Sequence, residues 1–128
     1  MANEAVLDSS AVLAFLGSEP GADLVETVLT GARVSAVNLA EVIGKLAERG
    51  AAEEDIQGIL APLNLTIDPF EEDMAWTVGA WRPATRGLGL SLGDRACLAL
   101  AASRGATAYT TDRRWAEAGL GVSVAVLR

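Results

Sequence analysis

Histidine is absent from this 128-residue chain, and cysteine occurs once. The lack of histidine excludes a Ser-His-Asp triad, histidine general acid–base catalysis and histidine metal sites. A single cysteine excludes an intrachain disulfide and a thiolate zinc site, and it is typical of a reducing compartment. Cys97 lies among Ala96, Leu98 and Ala99, which indicates a place in the core rather than a nucleophile.

Long apolar runs and a basic leader are missing as well. The longest uncharged apolar stretch, residues 96–103, is far shorter than the ~18 residues that span a bilayer. The first residues, Met1 to Glu4, lack the basic segment of a signal peptide. We therefore expect a cytoplasmic protein with no membrane partner.

The composition and the distribution of charge describe what is present. Hydrophobic residues make up 51% of the chain and charged residues 21%, which predicts a single folded domain over residues 1–128. The net charge of −7 argues against non-specific binding to nucleic acid. Residues 82–114 nevertheless hold six arginines and only two acids, Asp94 and Asp112, so this segment is locally basic.

Short apolar stretches alternate with helical patterns along the chain. This alternation predicts an α/β fold with a mostly parallel sheet. The predicted strands are residues 5–7, 34–36, 63–67, 107–110 and 122–127. The predicted helices are residues 11–16, 21–29, 38–49, 53–61, 71–82, 92–102 and 112–118.

Four acidic residues occupy positions that a parallel sheet makes special. Asp8 and Asp112 follow the first and fourth strands, Glu41 lies one turn into the helix after the second, and Asp94 lies in the first turn of a helix that Ser91 can cap. Ligands bind beyond the carboxyl ends of parallel strands, so the four acids are expected on one binding edge. Taken singly, each acid also suits an ordinary role as a cap, turn or solvated residue. Without histidine or cysteine ligands, magnesium or manganese is the counter-charge that such a group of carboxylates favours.

The residues around these acids form four motifs. They are residues 8–10 (Asp-Ser-Ser), residues 35–42 around Glu41, residues 90–96 around Gly93-Asp94, and residues 110–115 (Thr-Thr-Asp-Arg-Arg-Trp). In order, spacing and flanking residues they resemble the motifs of PIN-domain ribonucleases, and within that family the VapC-like toxins of bacterial toxin–antitoxin pairs. The resemblance spans nearly the whole chain.

The resemblance implies a three-layer α/β/α sandwich with a five-stranded sheet and a metal-dependent endoribonuclease. The implied Mg²⁺ or Mn²⁺ ligands and catalytic residues are Asp8, Glu41, Asp94 and Asp112. The implied partners are single-stranded or structured RNA and a small antitoxin, within a homodimer or a toxin–antitoxin hetero-oligomer. Such an enzyme cleaves RNA with an ion-activated water, which leaves 5′-phosphate and 3′-hydroxyl ends.

Further side chains suit supporting roles. Ser10 can bond Asp8 or cap a helix, Asn38 can orient a ligand or cap the Glu41 helix, and Thr111, with Thr110, can position Asp112 or contact phosphate. Arginine donates paired hydrogen bonds to phosphate, which makes four arginines near the acids candidate RNA contacts: Arg86, Arg95, Arg113 and Arg114.

Two other functions fit parts of the pattern. A catalytically silent PIN-like module could bind RNA or an antitoxin without cleavage, although the presence of all four acids argues against it. A phosphotransfer receiver domain also has an acidic α/β pocket, but it needs a lysine after a late strand. The only lysine here, Lys45, lies in an early helix. No residue indicates which RNA would be the target.

Overall fold

The computed structural model describes residues 4–128. Its strands are β1 (Ala5–Leu7), β2 (Arg33–Ser35), β3 (Thr66–Asp68), β4 (Thr107–Thr110) and β5 (Ser123–Val126). Its α-helices are α1 (Ser9–Leu16), α2 (Ala22–Val28), α3 (Ala36–Glu48), α4 (Glu53–Leu60), α5 (Glu72–Ala80), α6 (Arg82–Thr85) and α7 (Leu92–Arg104). No helix described between residues 4 and 128 is both long and apolar enough to cross a membrane.

The five strands form one sheet in the order β3-β2-β1-β4-β5. Every neighbouring pair is parallel, which confirms the predicted α/β fold and parallel sheet. The chain builds outward from β1 to β3, then returns to add β4 and β5 on the other side of β1. The strand order therefore reverses between β1 and β4, and at such a switch point a crevice opens beyond the strand ends.

Two apolar clusters cover the two faces of the sheet. Ala5 and Leu7 of β1 pack in one cluster with residues of α1, α2 and α3, whereas Val6 packs in the other with residues of α7. Because successive side chains of a strand point to opposite faces, helices cover both sides of β1. This arrangement confirms the three-layer α/β/α sandwich.

The structure differs from the predictions at two places. The strand predicted over residues 63–67 starts later, because Ala61–Leu63 forms a 3-10 turn and Asn64 takes a left-handed conformation (φ 52°) before the chain extends. The short helix predicted over residues 112–118 is present as a 3-10 helix at Arg113–Glu117. Its bonds join residues three apart, from the Trp115 N–H to the Asp112 carbonyl oxygen (3.3 Å) and from the Ala118 N–H to the Trp115 carbonyl oxygen (3.2 Å).

Candidate functional site

Asp8 lies at the carboxyl end of β1, where it caps the N-terminus of α1. Its side chain is buried, with the residue only 4% exposed. Oδ1 accepts hydrogen bonds from the Ser10 hydroxyl (2.7 Å) and the Ala11 N–H (2.8 Å), and Oδ2 accepts one from the Thr110 hydroxyl (2.6 Å). Burial raises the pKa of Asp8 to about 6, although these hydrogen bonds favour the ionised form; the charge of Asp94 raises the pKa further as a smaller cause.

Two hydroxyl groups join the ends of β1 and β4. The Thr110 hydroxyl, which donates to Asp8, also accepts from the Asp112 N–H (3.0 Å). The Ser10 hydroxyl, which also donates to Asp8, accepts from the Thr111 N–H (3.0 Å). The residue that positions Asp112 is thus Thr110, while Thr111 contributes its backbone. Thr110 lies on the buried side of β4 in the alternation of that strand, and this alternation is the sequence signal that separates the two threonines.

Asn38 orients Glu41 from inside α3. The residue is 1% exposed, and its Nδ2 donates to Glu41 Oε1 (2.9 Å) and to the Gly93 carbonyl oxygen (3.0 Å). Ser35 caps α3 instead, by accepting from the Val37 N–H (3.2 Å), so the interpretation of Asn38 as a helix cap is wrong. Asn38 Oδ1 is buried without a hydrogen-bond partner among residues 4–128.

Glycine at position 93 leaves room for the Glu41 carboxylate against α7. A Cβ atom at Gly93 would lie 2.5 Å from both Glu41 carboxylate oxygens. Glycine is a poor helix former, so its presence in the first turn of α7 indicates a close approach by another group. The group is the acid of the second sequence motif, which brings α3 and α7 together at this edge.

Gly93→Ala should therefore separate cation binding from stability. The added methyl displaces the Glu41 carboxylate rather than backbone and breaks its bond to Asn38, whereas alanine favours the helix by up to about 1 kcal/mol, so the melting temperature should change little. Loss of one carboxylate from its place should weaken Mn²⁺ binding roughly tenfold, measured by isothermal titration calorimetry. Gly58→Ala in α4, where a Cβ meets nothing within 4 Å, is the matched control. Equal Mn²⁺ affinity in all three proteins would show that Glu41 is not a ligand.

Asp94 belongs to a capping box at the start of α7. Its Oδ2 accepts from the Ser91 N–H (2.8 Å), while the Ser91 hydroxyl accepts from the Asp94 N–H (3.1 Å). This is the pairing predicted for these two residues. Burial raises the pKa of Asp94, and the negative charges of Asp112 and Glu41 raise it further. Asp94 thus has the structural role of a cap while it lies within electrostatic range of the other acids.

Asp112 is paired with an arginine. Arg114 Nε donates to Asp112 Oδ1 (2.9 Å) and Oδ2 (3.1 Å), and its Nη2 also bonds Oδ2. These bonds hold the pKa of Asp112 below its usual range. The two acids thus shift in opposite directions: Arg114 lowers the pKa of Asp112, whereas burial raises the pKa of Asp8.

The donor set suits a hard divalent cation. All four side chains offer carboxylate oxygens, the ligands that Mg²⁺ and Mn²⁺ prefer. Among residues 4–128, no three acidic side chains converge closely enough to enclose an ion in their present orientations. Two of the four are turned to other partners, Asp94 to Ser91 and Asp112 to Arg114. The residues fit the cation in their chemistry, and their roles as ligands stay a prediction.

The candidate RNA-binding arginines fall into two groups. Arg86 and Arg113 are exposed, and Arg113 Nε donates to the Arg128 carbonyl oxygen (3.0 Å). Arg95 is only 8% exposed, and its Nη1 donates to the Val78 carbonyl oxygen (2.7 Å). Because this bond lies inside the fold and ties α7 to α5, the buried position does not suit an RNA contact, and we leave Arg95 out of the proposed RNA-binding set.

Several solved structures share the fold of this chain. A DNA-bound VapBC from Salmonella typhimurium matches with a TM-score of 0.76 and 16% identity, covering 99% of this chain and 100% of that chain. A toxin–antitoxin complex from Klebsiella pneumoniae matches with a TM-score of 0.73 and 17% identity, covering 98% of each chain. FitAcB from Neisseria gonorrhoeae matches with a TM-score of 0.70 and 25% identity, covering 94% of this chain and 95% of that chain.

A family model covers most of the chain. A comparison with curated protein sequences found no significant match. The PIN-domain model, in contrast, matches residues 5–120, a range that contains all four acids and the switch point between β1 and β4. This match confirms the resemblance drawn from the four acidic motifs. The chain belongs to the PIN-domain family.

Proposed function

We propose that the chain is a metal-dependent endoribonuclease that acts in the cytoplasm as the toxin of a toxin–antitoxin pair. The observation that carries the proposal is the set of four acids at the switch-point edge, with Asp8 held by Ser10 and Thr110 and Glu41 held by Asn38. The similarity to toxin–antitoxin structures supports a small antitoxin as the protein partner. A homodimer or a toxin–antitoxin hetero-oligomer is the assembly we expect.

Asp8, Glu41, Asp94 and Asp112 would hold Mg²⁺ or Mn²⁺. A divalent cation bound there supplies Lewis acidity to the phosphodiester and lowers the pKa of water. Asn38 keeps a Glu41 oxygen in place, since its amide is itself fixed by the Gly93 carbonyl. The Ser10 and Thr110 hydroxyls fix both oxygens of Asp8, so the carboxylate needs no reorientation when it takes part in the reaction.

Water as the nucleophile predicts the chemistry of the product ends. Attack by water with departure of the 3′ oxygen leaves a 5′-phosphate and a 3′-hydroxyl. The chain has no histidine to activate the RNA 2′-hydroxyl. Mass spectrometry of fragments from a single-stranded RNA incubated with the protein and Mn²⁺ should show these ends. Fragments ending in 2′,3′-cyclic phosphate would contradict the proposed reaction.

Three exposed arginines are proposed to contact RNA phosphates: Arg86, Arg113 and Arg114. Electrostatic contact with single-stranded nucleic acid gives a log–log dependence of affinity on salt with a slope of roughly −0.7 per neutralised phosphate. Changing Arg113 and Arg114 together to alanine should flatten the slope by roughly one unit, measured by fluorescence anisotropy with labelled RNA in EDTA. A double variant that keeps the wild-type slope would show that both arginines are merely solvated.

A catalytically silent binding module is the second candidate. The observation that favours it is that no three acids among residues 4–128 enclose a cation site as they stand. Such a module would bind RNA with the same salt dependence and yet release no fragments in Mg²⁺ or Mn²⁺. The analysis of product ends therefore separates the two functions.

A further inference from the structure

The Arg114 side chain is held at both ends of its guanidinium. One edge, through Nε, donates to Asp112 Oδ1 (2.9 Å) and Oδ2 (3.1 Å). On the other side, Nη1 donates to the Leu88 carbonyl oxygen (2.7 Å). The bonds use the fork geometry of arginine, which a lysine ammonium could not reproduce.

The loop before α7 is shaped to receive this guanidinium. Gly89 follows the 3-10 turn Arg86–Leu88 with a left-handed backbone (φ 66°), which turns the chain toward Ser91. A Cβ atom at Gly89 would lie 3.0 Å from Arg114 Nη1, closer than ordinary packing. Glycine at position 89 therefore permits the left-handed turn and leaves room for the Arg114 guanidinium. The contact joins the fourth motif to the loop that precedes the third.

We propose that Arg114 is a latch on the metal site: its guanidinium occupies Asp112 and must leave before Asp112 can bind a divalent cation. The inference rests on the proposed function for the identity of Asp112 as a ligand. Three guanidinium bonds use both Asp112 oxygens, and a cation placed beside the guanidinium would be repelled by it. The pairing of Asp112 with Arg114, like that of Asp94 with the Ser91 N–H, occupies a carboxylate that a cation would need.

Release of the latch frees Arg114 as well as Asp112. A freed guanidinium beside the site can donate the same paired hydrogen bonds to an RNA phosphate. Arg114 would thus move from the Asp112 carboxylate to an RNA phosphate, and its charge would stay next to the acids before and after release. Cation binding and phosphate binding would then favour each other, because each ligand takes one member of the Asp112–Arg114 pair and frees the other.

The latch predicts a gain in cation affinity when the guanidinium is removed. The Asp112–Arg114 pair is largely exposed and screened by solvent, so its removal should change a dissociation constant by no more than about fivefold. By isothermal titration calorimetry without RNA, Arg114→Ala and Arg114→Gln should bind Mn²⁺ about fivefold more tightly than the wild type. Arg113→Ala removes the same charge one residue away, from a side chain bonded to the Arg128 carbonyl, and should change the affinity less than twofold.

A second measurement follows the guanidinium itself. In ¹⁵N NMR spectra of arginine Nε–H groups, the Arg114 signal should shift as Mg²⁺ saturates the site, while the Arg113 signal should stay in place. Equal Mn²⁺ affinity in the wild type and both Arg114 variants would overturn the latch, as would Mn²⁺ binding by none of them. Tight binding only in the Arg114 variants would support it. Loss of RNA cleavage with the fivefold effect intact would defeat the proposed function alone, and cleavage with equal affinities would defeat the latch alone.

Discussion

Replacing Asp8 by asparagine should abolish RNA cleavage and stabilise the protein at neutral pH. Cleavage should fall by roughly 100-fold or more, because a ligand and its negative charge are lost from the proposed metal site. The gain in stability should be about 2 kcal/mol at pH 7. A buried charge that the reaction needs lowers the stability of the fold, so its removal should lower activity and raise stability.

The sign of the stability change follows from the raised pKa of Asp8. Burial raises this pKa from 3.8 to about 6, so between about pH 4 and pH 6 the folded protein binds a proton that the unfolded chain has released. Wild-type stability is therefore lost as the pH rises through this window, and the loss, about 3 kcal/mol, is complete above pH 6. Asparagine does not titrate, and its oxygen can still accept from Ser10 and Ala11. The altered bond to Thr110 offsets about 1 kcal/mol.

Urea unfolding at pH 4 and pH 7 measures this difference. The free energy of unfolding of Asp8→Asn minus that of the wild type should rise by about 2.5 kcal/mol between the two pH values. Asp55→Asn, at an exposed position of α4, makes the same chemical change without burial and should show no such rise. A difference that stays constant with pH would show that burial of Asp8 does not penalise its charge.

Magnesium or manganese should raise the melting temperature by about 10 °C at 100 times the dissociation constant. A ligand that binds only the folded state stabilises it by ~2.7 kcal/mol at this concentration. For a domain of this length that free energy corresponds to very roughly 10 °C. The rise should be smaller at pH 5 than at pH 7.5, because protons compete with the cation for Asp8, whose pKa is about 6.

Differential scanning calorimetry of the wild type, Asp8→Asn and Asp55→Asn tests the location of this effect. Asp55→Asn should keep the full metal-induced rise, whereas Asp8→Asn should lose most of it. An equal rise in all three proteins would place the bound cation elsewhere on the acidic surface. Calcium is a useful comparison, since it also prefers oxygen ligands but tolerates larger and more flexible sites.

Local sequence patterns were enough to predict the sheet and the edge that carries the acids. The wholly apolar β1 is buried on both sides, and Asp8 follows it directly. The capping box at Ser91 and Asp94 was also predictable, because both partners lie within one helical turn. Burial of a short strand and capping of a helix each depend on residues that are close in the sequence, so both can be recognised from local patterns.

Contacts between distant segments could not be predicted from local sequence patterns. The bond from Thr110 to Asp8 joins residues 102 positions apart, and the bond from Asn38 to Gly93 spans 55. Arg95 was a candidate RNA contact, but α7 is buried on most of its surface, so this side chain bonds inside the fold. Which hydroxyl, amide or guanidinium contacts an acid is decided by tertiary packing, which sequence spacing does not encode.

Burial, rather than crowding of the acids, is the main cause of the raised pKa values at this site. Carboxylates that lie close together raise one another's pKa. The pKa values of Asp8 and Asp94 are raised, but burial is the larger cause for both, and the neighbouring acids are the smaller one. Asp112, relieved by Arg114, has a lowered pKa instead. The penalty for charge at this site therefore comes chiefly from the loss of water.

Cleavage of a labelled single-stranded RNA by the wild type and by Asp94→Asn, in Mg²⁺, Mn²⁺ or EDTA, tests the metal-dependent nuclease centre most directly. Asparagine keeps an oxygen for the Ser91 N–H, so the cap of α7 is preserved while the charge is lost. The wild type should cleave RNA with either cation and lose this activity in EDTA, and Asp94→Asn should be slower by roughly 100-fold or more. Cleavage that persists in EDTA and is unchanged in Asp94→Asn would contradict the assignment of the four acids as a metal centre.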